Sequence, residues 1–147
     1  MAVCTYADAS NNLQETIRTI LAADATLLTF TNLFLDGRGV FKTRGTGIPR
    51  VEIHTPTRSE SQLTLFKRQI ILTVPIVVVD KKESNVREMQ DAVLNALKTN
   101  VATTRGNGFF LFGNDIRTTQ ATSFLDNESS QYLWSLTISI PYSTVVT

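Results

Sequence analysis

A single histidine, His54, limits the acid–base chemistry open to this chain. Any Ser-His-Asp arrangement has to pass through it. Yet it sits in RVEIHT, between Ile53 and Thr55, with no motif around it. A triad needs a nucleophile, a base and an orienting acid, each placed by the surrounding structure. A strand histidine facing polar neighbours is the plainer account. Glu52 and His54 are two residues apart and so share one face of a strand. A metal site needs a cluster of histidines, cysteines or carboxylates, and the only cysteine is Cys4. No metal and no cofactor is expected, and the reading is that the chain is not an enzyme. The carboxylates Glu83 and Glu88, and Asp126 and Glu128, fall in cap and turn positions where solvation accounts for them.

The other candidate is DGRGVFKTRGTG, residues 36–47. Its four glycines break helical and strand periodicity, so 36–49 reads as a flexible loop. It lacks the Gly-Lys-Ser/Thr of a P-loop and the third glycine of a dinucleotide fingerprint. Arg38, Lys42 and Arg44 face only Asp36 as counter-charge, and Arg50 follows just outside. The loop is therefore either a solvated connector or a local positive patch for phosphates or an acidic partner. Phe41 is its only aromatic residue, which gives little for base stacking. The net charge of +1 adds no general attraction to nucleic acid or membrane.

The elements around these residues follow from hydrophobic spacing. The 147 residues suit one domain, 1–147, with one core. The N-terminus lacks the basic and apolar regions of a signal peptide, and no apolar run is long enough to span a bilayer. The lone cysteine fits a reducing compartment. Residues 10–31 read as helix, with Asn12 and Glu15 as a capping pair and Asp24 restarting the helix as a second N-cap. Residues 50–55 read as a strand, PTRSESQ as a polar connection, and 63–79 as a long strand pairing back in a hairpin. Helix 85–99 carries Val86, Met89, Val93 and Leu97 on one stripe, with Asn85 and Glu88 as its cap and Asn100 as its end. TTRGNG, 103–108, reads as a turn and FFLF as a short strand. Residues 116–124 and 132–143 read as a second hairpin, with Tyr132, Trp134, Leu136, Ile138, Ile140 and Tyr142 on its buried face. The expected fold is α+β: a mainly antiparallel sheet built from two hairpins, with two amphipathic helices packed on one face.

The long strand raises its own question. Ile70, Leu72, Val74, Ile76 and Val78 form one purely apolar face, of which Val74, Ile76 and Val78 are expected to meet Ile17, Ile20, Val93 and Leu97. The opposite face is largely apolar too in its later half, where Val77 and Val79 lie. A one-sided sheet alternates apolar with polar, so both faces call for cover. Either a second layer of the same chain or a neighbouring subunit supplies it. Pro75 removes a ladder donor and belongs at an edge, at a bulge, or where pairing partners change.

The succession LQETIRTILAAD, a basic loop, RVEIHT, FKRQIILTVPIVVVD closed by NVREMQDAVLNAL, and a final hairpin ending YLWSLTISIPYS resembles the tail terminator (tail-completion, or minor tail) proteins of long-tailed bacteriophages. The resemblance covers most of the chain and rests on length, element order and the passage at 67–98. It implies a structural protein of the virion, assembled in the host cytoplasm. Copies form a ring, typically a hexamer, that caps the tail tube, stops its polymerisation and meets the head connector proteins, with DNA passing through the lumen. Under it, Val77 and Val79 are expected at the subunit contact, and Arg38, Lys42, Arg44 and Arg50 in the lumen or at a docking surface. A head–tail connector of the neck fits the same pattern, and a small nucleic-acid-binding module is the remaining reading.

Overall fold

The computed structural model describes residues 6–31, 34–36, 48–62, 68–126 and 130–146. Among these residues, four α-helices and eight strands build an α+β fold. The helices are α1 (Tyr6–Ala22), α2 (Ala25–Leu28), α3 (Glu83–Thr99) and α4 (Val101–Gly106). The strands are β1 (Phe34–Asp36), β2 (Arg50–Ile53), β3 (Thr57–Gln62), β4 (Arg68–Asp80), β5 (Phe110–Leu111), β6 (Arg117–Thr118), β7 (Thr122–Asp126) and β8 (Gln131–Val146). None of the described helices is long and apolar enough to cross a membrane.

The sheet is organised on the antiparallel pair β4 and β8, which stay in register from Arg68↔Val146 to Asp80↔Trp134. On the free side of β4, β3 covers one end and β2 the other. On the free side of β8 lie β5, β6 and β7 in turn. Every pair is antiparallel except β1 with β2. That three-residue parallel edge carries no sequence signal of its own, because it adjoins the glycine-rich stretch.

The helices α1 and α3 lie on one face of the sheet, as the apolar stripes require. Val74, Ile76 and Val78 meet a core that contains Ile17, Ile20, Val93 and Leu97. Each fully buried aliphatic side chain of this kind contributes about 1.5–3 kcal/mol relative to exposure. Two polar ties fix α1 to the sheet: Gln14 Nε2 donates to the Ile53 carbonyl at 3.4 Å, and Arg18 Nε to that of Phe34 at 3.2 Å.

Several boundaries differ from the sequence expectation. The first helix starts at Tyr6 rather than residue 10, because Ala9 continues the buried stripe of Leu13, Ile17 and Leu21 one turn earlier. Asn12 is therefore mid-helix, where its carbonyl accepts from Thr16 Oγ1 at 2.7 Å, and it caps nothing. Asp24 does cap α2: its Oδ2 accepts from the Leu27 amide at 2.9 Å. Helix α3 starts at Glu83, ahead of Asn85. Asn85 instead donates to Asp80 Oδ2 at 2.9 Å, so it ties the helix back to the end of β4.

Residues 57–62, expected as a connection, are strand β3. Its polar TRSESQ composition hides it from any apolar-alternation test, since an exposed edge strand needs no buried face. Between Ile53↔Ile76 and Thr57↔Thr73, three residues of one strand oppose two of the other, a bulge-like step. Pro75 lies at that switch of partner from β3 to β2, one of the places its missing donor allows. Residues 103–106 are helical, and the turn comes only at Asn107 and Gly108. Gly108 (φ 92°) closes a Schellman motif, its amide donating to Arg105 and that of Phe109 to Thr104. The second hairpin is split into β6 and β7 on its first strand and extends to residues 131–146 on its return. Expectations for residues 37–47 and 63–67 lie outside the described residues.

Candidate functional site: the open face of the sheet

The face of the sheet away from the helices carries the sequence candidates. Strand alternation puts Arg50 and Glu52 on it, because they pair directly with Val79 and Val77 of β4. The opposite partners on β8 are Ser135 for Val79 and Thr137 for Val77. Following the same register, β4 shows Ile71, Thr73, Pro75 and Val77, all half-buried, beside a strip of Ser135, Thr137, Ser139, Pro141 and Ser143 on β8. An apolar strip thus lies against a hydroxyl-rich one.

Arg50, Glu52 and His54 form a row at every second residue. Arg50 Nε is 2.6 Å from Glu52 Oε2, with both side chains buried. His54 Nε2 is 3.1 Å from Glu52 Oε1, and its ring is partly exposed. Burial pushes the Glu52 carboxyl up. The hydrogen bonds from His54 and Arg50, together with their charges, outweigh that and hold it below the ordinary glutamate range. Both carboxylate oxygens are therefore engaged, and the row is an ion-paired brace on the sheet rather than a poised base. No group of three or more potential metal ligands occurs among the described residues.

The sequence candidates separate in the structure. Arg50 belongs to β2 and is buried against Glu52, so it is not part of a flexible loop. Arg38, Lys42 and Arg44 lie outside the described residues. Val77 is half-buried on the open face, whereas Val79 is only 1% exposed and already covered within the chain.

A surface that periodicity assigned to the core turns out to be open. Trp134 pairs with Asp80, the last residue of β4, so the end of the β7–β8 hairpin runs past β4. Helix α3 starts just after Asp80 and packs back on β4 and β8, so it does not follow the hairpin outward. The cross-strand pair Leu125↔Tyr132 on the helix-side face is consequently 49% and 71% exposed. Leu133, pointing the other way, is fully buried yet outside the main core. The buried side of the hairpin has switched faces at its tip. Strict alternation through YLWSLTISI gives the phase of the strand but carries no signal for that switch.

No family model matches the chain, and no curated protein matches it. Among solved structures, a chain from the virion of a native gene transfer agent particle has a similar fold. It superposes with a TM-score of 0.50 at 15% identity, over 95% of this chain and 99% of that one. At that identity the likeness is one of fold.

Proposed function

We propose that the chain is a non-enzymatic structural component of a phage-like particle, and within it a tail terminator. Its copies form a ring, a hexamer in this reading, that caps the tail tube, stops its growth and joins it to the head connector while DNA passes through the lumen. The observation that carries the reading is an end-to-end likeness in fold to a chain of a virion. The order of elements that resembles tail terminators supports the finer assignment. The Glu52 carboxylate, buried and engaged on both oxygens, fits a structural brace rather than a group poised for turnover.

In this assembly the protein resides in the tail or neck of the particle after assembly in the host cytoplasm. Arg38, Lys42 and Arg44 are the cations of the loop facing DNA phosphates or an acidic tube surface. Such contacts hold without reading sequence, as sliding DNA requires. Arg50 serves this loop only as the buried anchor at its end. On the open face, Val77 is the residue presented to a neighbouring copy.

Deletion of the gene, followed by electron microscopy of the particles, tests the reading. A terminator predicts overlong or unjoined tails, with rescue by the intact chain and its recovery in purified particles. Tails of normal length that fail to join heads would assign the chain to the connector instead. Normal particles would refute both. Replacing Arg38, Lys42 and Arg44 together by Ser is expected to leave folding unchanged and lower infectivity, and undiminished infectivity would remove the loop from the mechanism.

A further inference from the structure

We propose that Asn107 is a latent self-modification site: the Gly108 amide nitrogen closes on the Asn107 side chain once the end of α4 opens, and the fold holds that reaction off. The inference stands apart from the virion reading, since it needs only the chain's own chemistry. Asn107 and Gly108 form the one Asn-Gly step in the sequence. Glycine has no Cβ to hinder its own nitrogen, and it reaches backbone conformations that other residues resist. The Gly108 nitrogen attacks Cγ of Asn107, and a C–N bond forms. The bond from Cγ to Nδ2 breaks, and Nδ2 leaves as ammonia with the proton of the Gly108 amide. Water then opens one carbonyl or the other of the five-membered succinimide, which gives aspartate or isoaspartate at position 107. Water is the only co-reactant consumed.

Asn107 is exposed, so water reaches it, but three restraints keep the ring from closing. The first is the backbone of Asn107 itself, with φ −88° and ψ 3°. A ψ near zero eclipses the Gly108 nitrogen with the nitrogen of Asn107 and turns it away from Cβ, whereas ring closure needs it on the Cβ side. The second is the Gly108 amide, which donates to the Arg105 carbonyl at 3.0 Å, so the attacking nitrogen is already engaged. The third is Phe109, whose amide donates to the Thr104 carbonyl at 2.9 Å and whose side chain is buried in the core. Rotation about the 107–108 link therefore has to break the Schellman turn and pull against Phe109.

The product undoes one of the contacts that guarded it. Asn107 Nδ2 donates to Thr16 Oγ1 of α1 at 3.3 Å, and that hydroxyl donates in turn to the Asn12 carbonyl at 2.7 Å. A hydroxyl has one hydrogen to give, and here it is committed. Thr16 can therefore only accept from position 107. A carboxylate has nothing to donate, so after the reaction two acceptors face each other and the tie between α4 and α1 is lost. Glu15 lines the same cleft between the two helices, so the new charge also arrives beside a like one. Isoaspartate adds a methylene to the main chain as well, at the point where the Schellman turn has to close. The modification thus loosens the end of α4 and is not reversed by refolding.

The test incubates the purified full chain in mildly alkaline buffer and follows position 107 by peptide mass spectrometry, with isoaspartyl methyltransferase labelling to score isoaspartate. In urea above the unfolding transition, Asn107 is expected to convert faster than any other asparagine of the chain. In the folded chain it should convert at least about tenfold more slowly, because the reaction passes through a sparsely populated open end. Thr16→Val keeps the branched shape of the side chain and removes the acceptor. It should speed conversion in the folded chain about two- to tenfold, the worth of one hydrogen bond, and leave the rate in urea unchanged. Gly108→Ala should suppress most of the product in urea, where its effect on folding plays no part. Asn107→Asp installs the product directly and should lower the melting temperature by about 1–6 °C. Equal rates in the folded and unfolded chain would overturn the protection. An unfolded chain in which Asn107 is no faster than other asparagines, or in which Gly108→Ala changes nothing, would overturn the site. Thr16→Val that converts like wild type, or Asn107→Asp that melts like it, would overturn the role of the tie to α1. All of these readouts are independent of whether the chain occurs in particles.

Discussion

Tyr142→Phe should make the protein more stable. Tyr142 is fully buried on the helix-side face of β8, opposite Leu72. Its hydroxyl has no hydrogen-bond partner among the described residues. Burial pushes the phenol well above the ordinary tyrosine range, as expected of a hydroxyl taken out of water without compensation. An unsatisfied buried polar group costs about 1–3 kcal/mol. Phenylalanine keeps the ring and its packing and removes that cost. The void left by one oxygen takes back a few tenths of a kcal/mol at ~24 cal/mol per Å³ of cavity. The net expectation is a gain of about 1–2 kcal/mol. At roughly 2–4 °C per kcal/mol for a chain of this size, the melting temperature rises by about 2–8 °C. Urea denaturation followed by circular dichroism measures it, and an unchanged m-value shows that the unfolded state is not what moved. A loss of stability in the variant would refute the reasoning, because it would mean that the hydroxyl makes a bond worth more than its burial costs.

Three further outcomes test the brace, the cap and the core. Glu52 has a folded pKa below its unfolded value of about 4.3, so its contribution is complete above that pH and drains away as pH falls through the folded value. Glu52→Gln should cost about 1.5–3 kcal/mol at pH 7, the worth of hydrogen bonds to a charged group, and should flatten the acid limb of the stability profile; an acid limb as steep as wild type would show that other carboxylates set it. Gly108→Ala forces a side chain onto a residue at φ 92° and should cost about 1–2 kcal/mol, read as a lower melting temperature; no change would mean the turn adopts another geometry. Val93→Asp puts a charge where α3 is fully buried and should abolish cooperative melting, since burying an unpaired carboxylate costs several kcal/mol; a soluble, cooperative variant would remove α3 from the core.

Helix α3 and the strands β4 and β8 were legible because their apolar residues recur at the period of the element and most of one face is buried. The N-terminal boundaries were not. Asn12 followed by Glu15 carries the local signature of a helix start, but Ala9 nearly one turn earlier reaches the core, and tertiary burial overrides a weak capping preference. Likewise Asn85 has the composition of an N-cap, yet Asp80 at the end of β4 takes its side chain and the helix begins two residues sooner. In both cases a short polar residue found a partner, or solvent, other than the one its sequence spacing suggested. Strand β3 failed for a different reason. An edge strand with both faces in contact with water has no apolar period to read.

The candidate surfaces were the least legible part, and the reason lies in what periodicity measures. Alternation through residues 131–146 states which side chains share a face, and the structure keeps that alternation: Trp134, Leu136, Ile138, Ile140 and Tyr142 all face the helices. It does not state where the covering layer stops. Tyr132 continues the same face, but α3 starts only after Asp80 and packs back on the sheet, so Tyr132 and its partner Leu125 are left exposed. Arg50 shows the converse. Read beside Arg38 and Lys42 it looks like one more cation of a solvated loop, whereas pairing with Val79 makes it a strand residue whose charge is spent on Glu52. Coverage is set by the length and start of elements distant in sequence, so alternation along one strand cannot report where its cover ends.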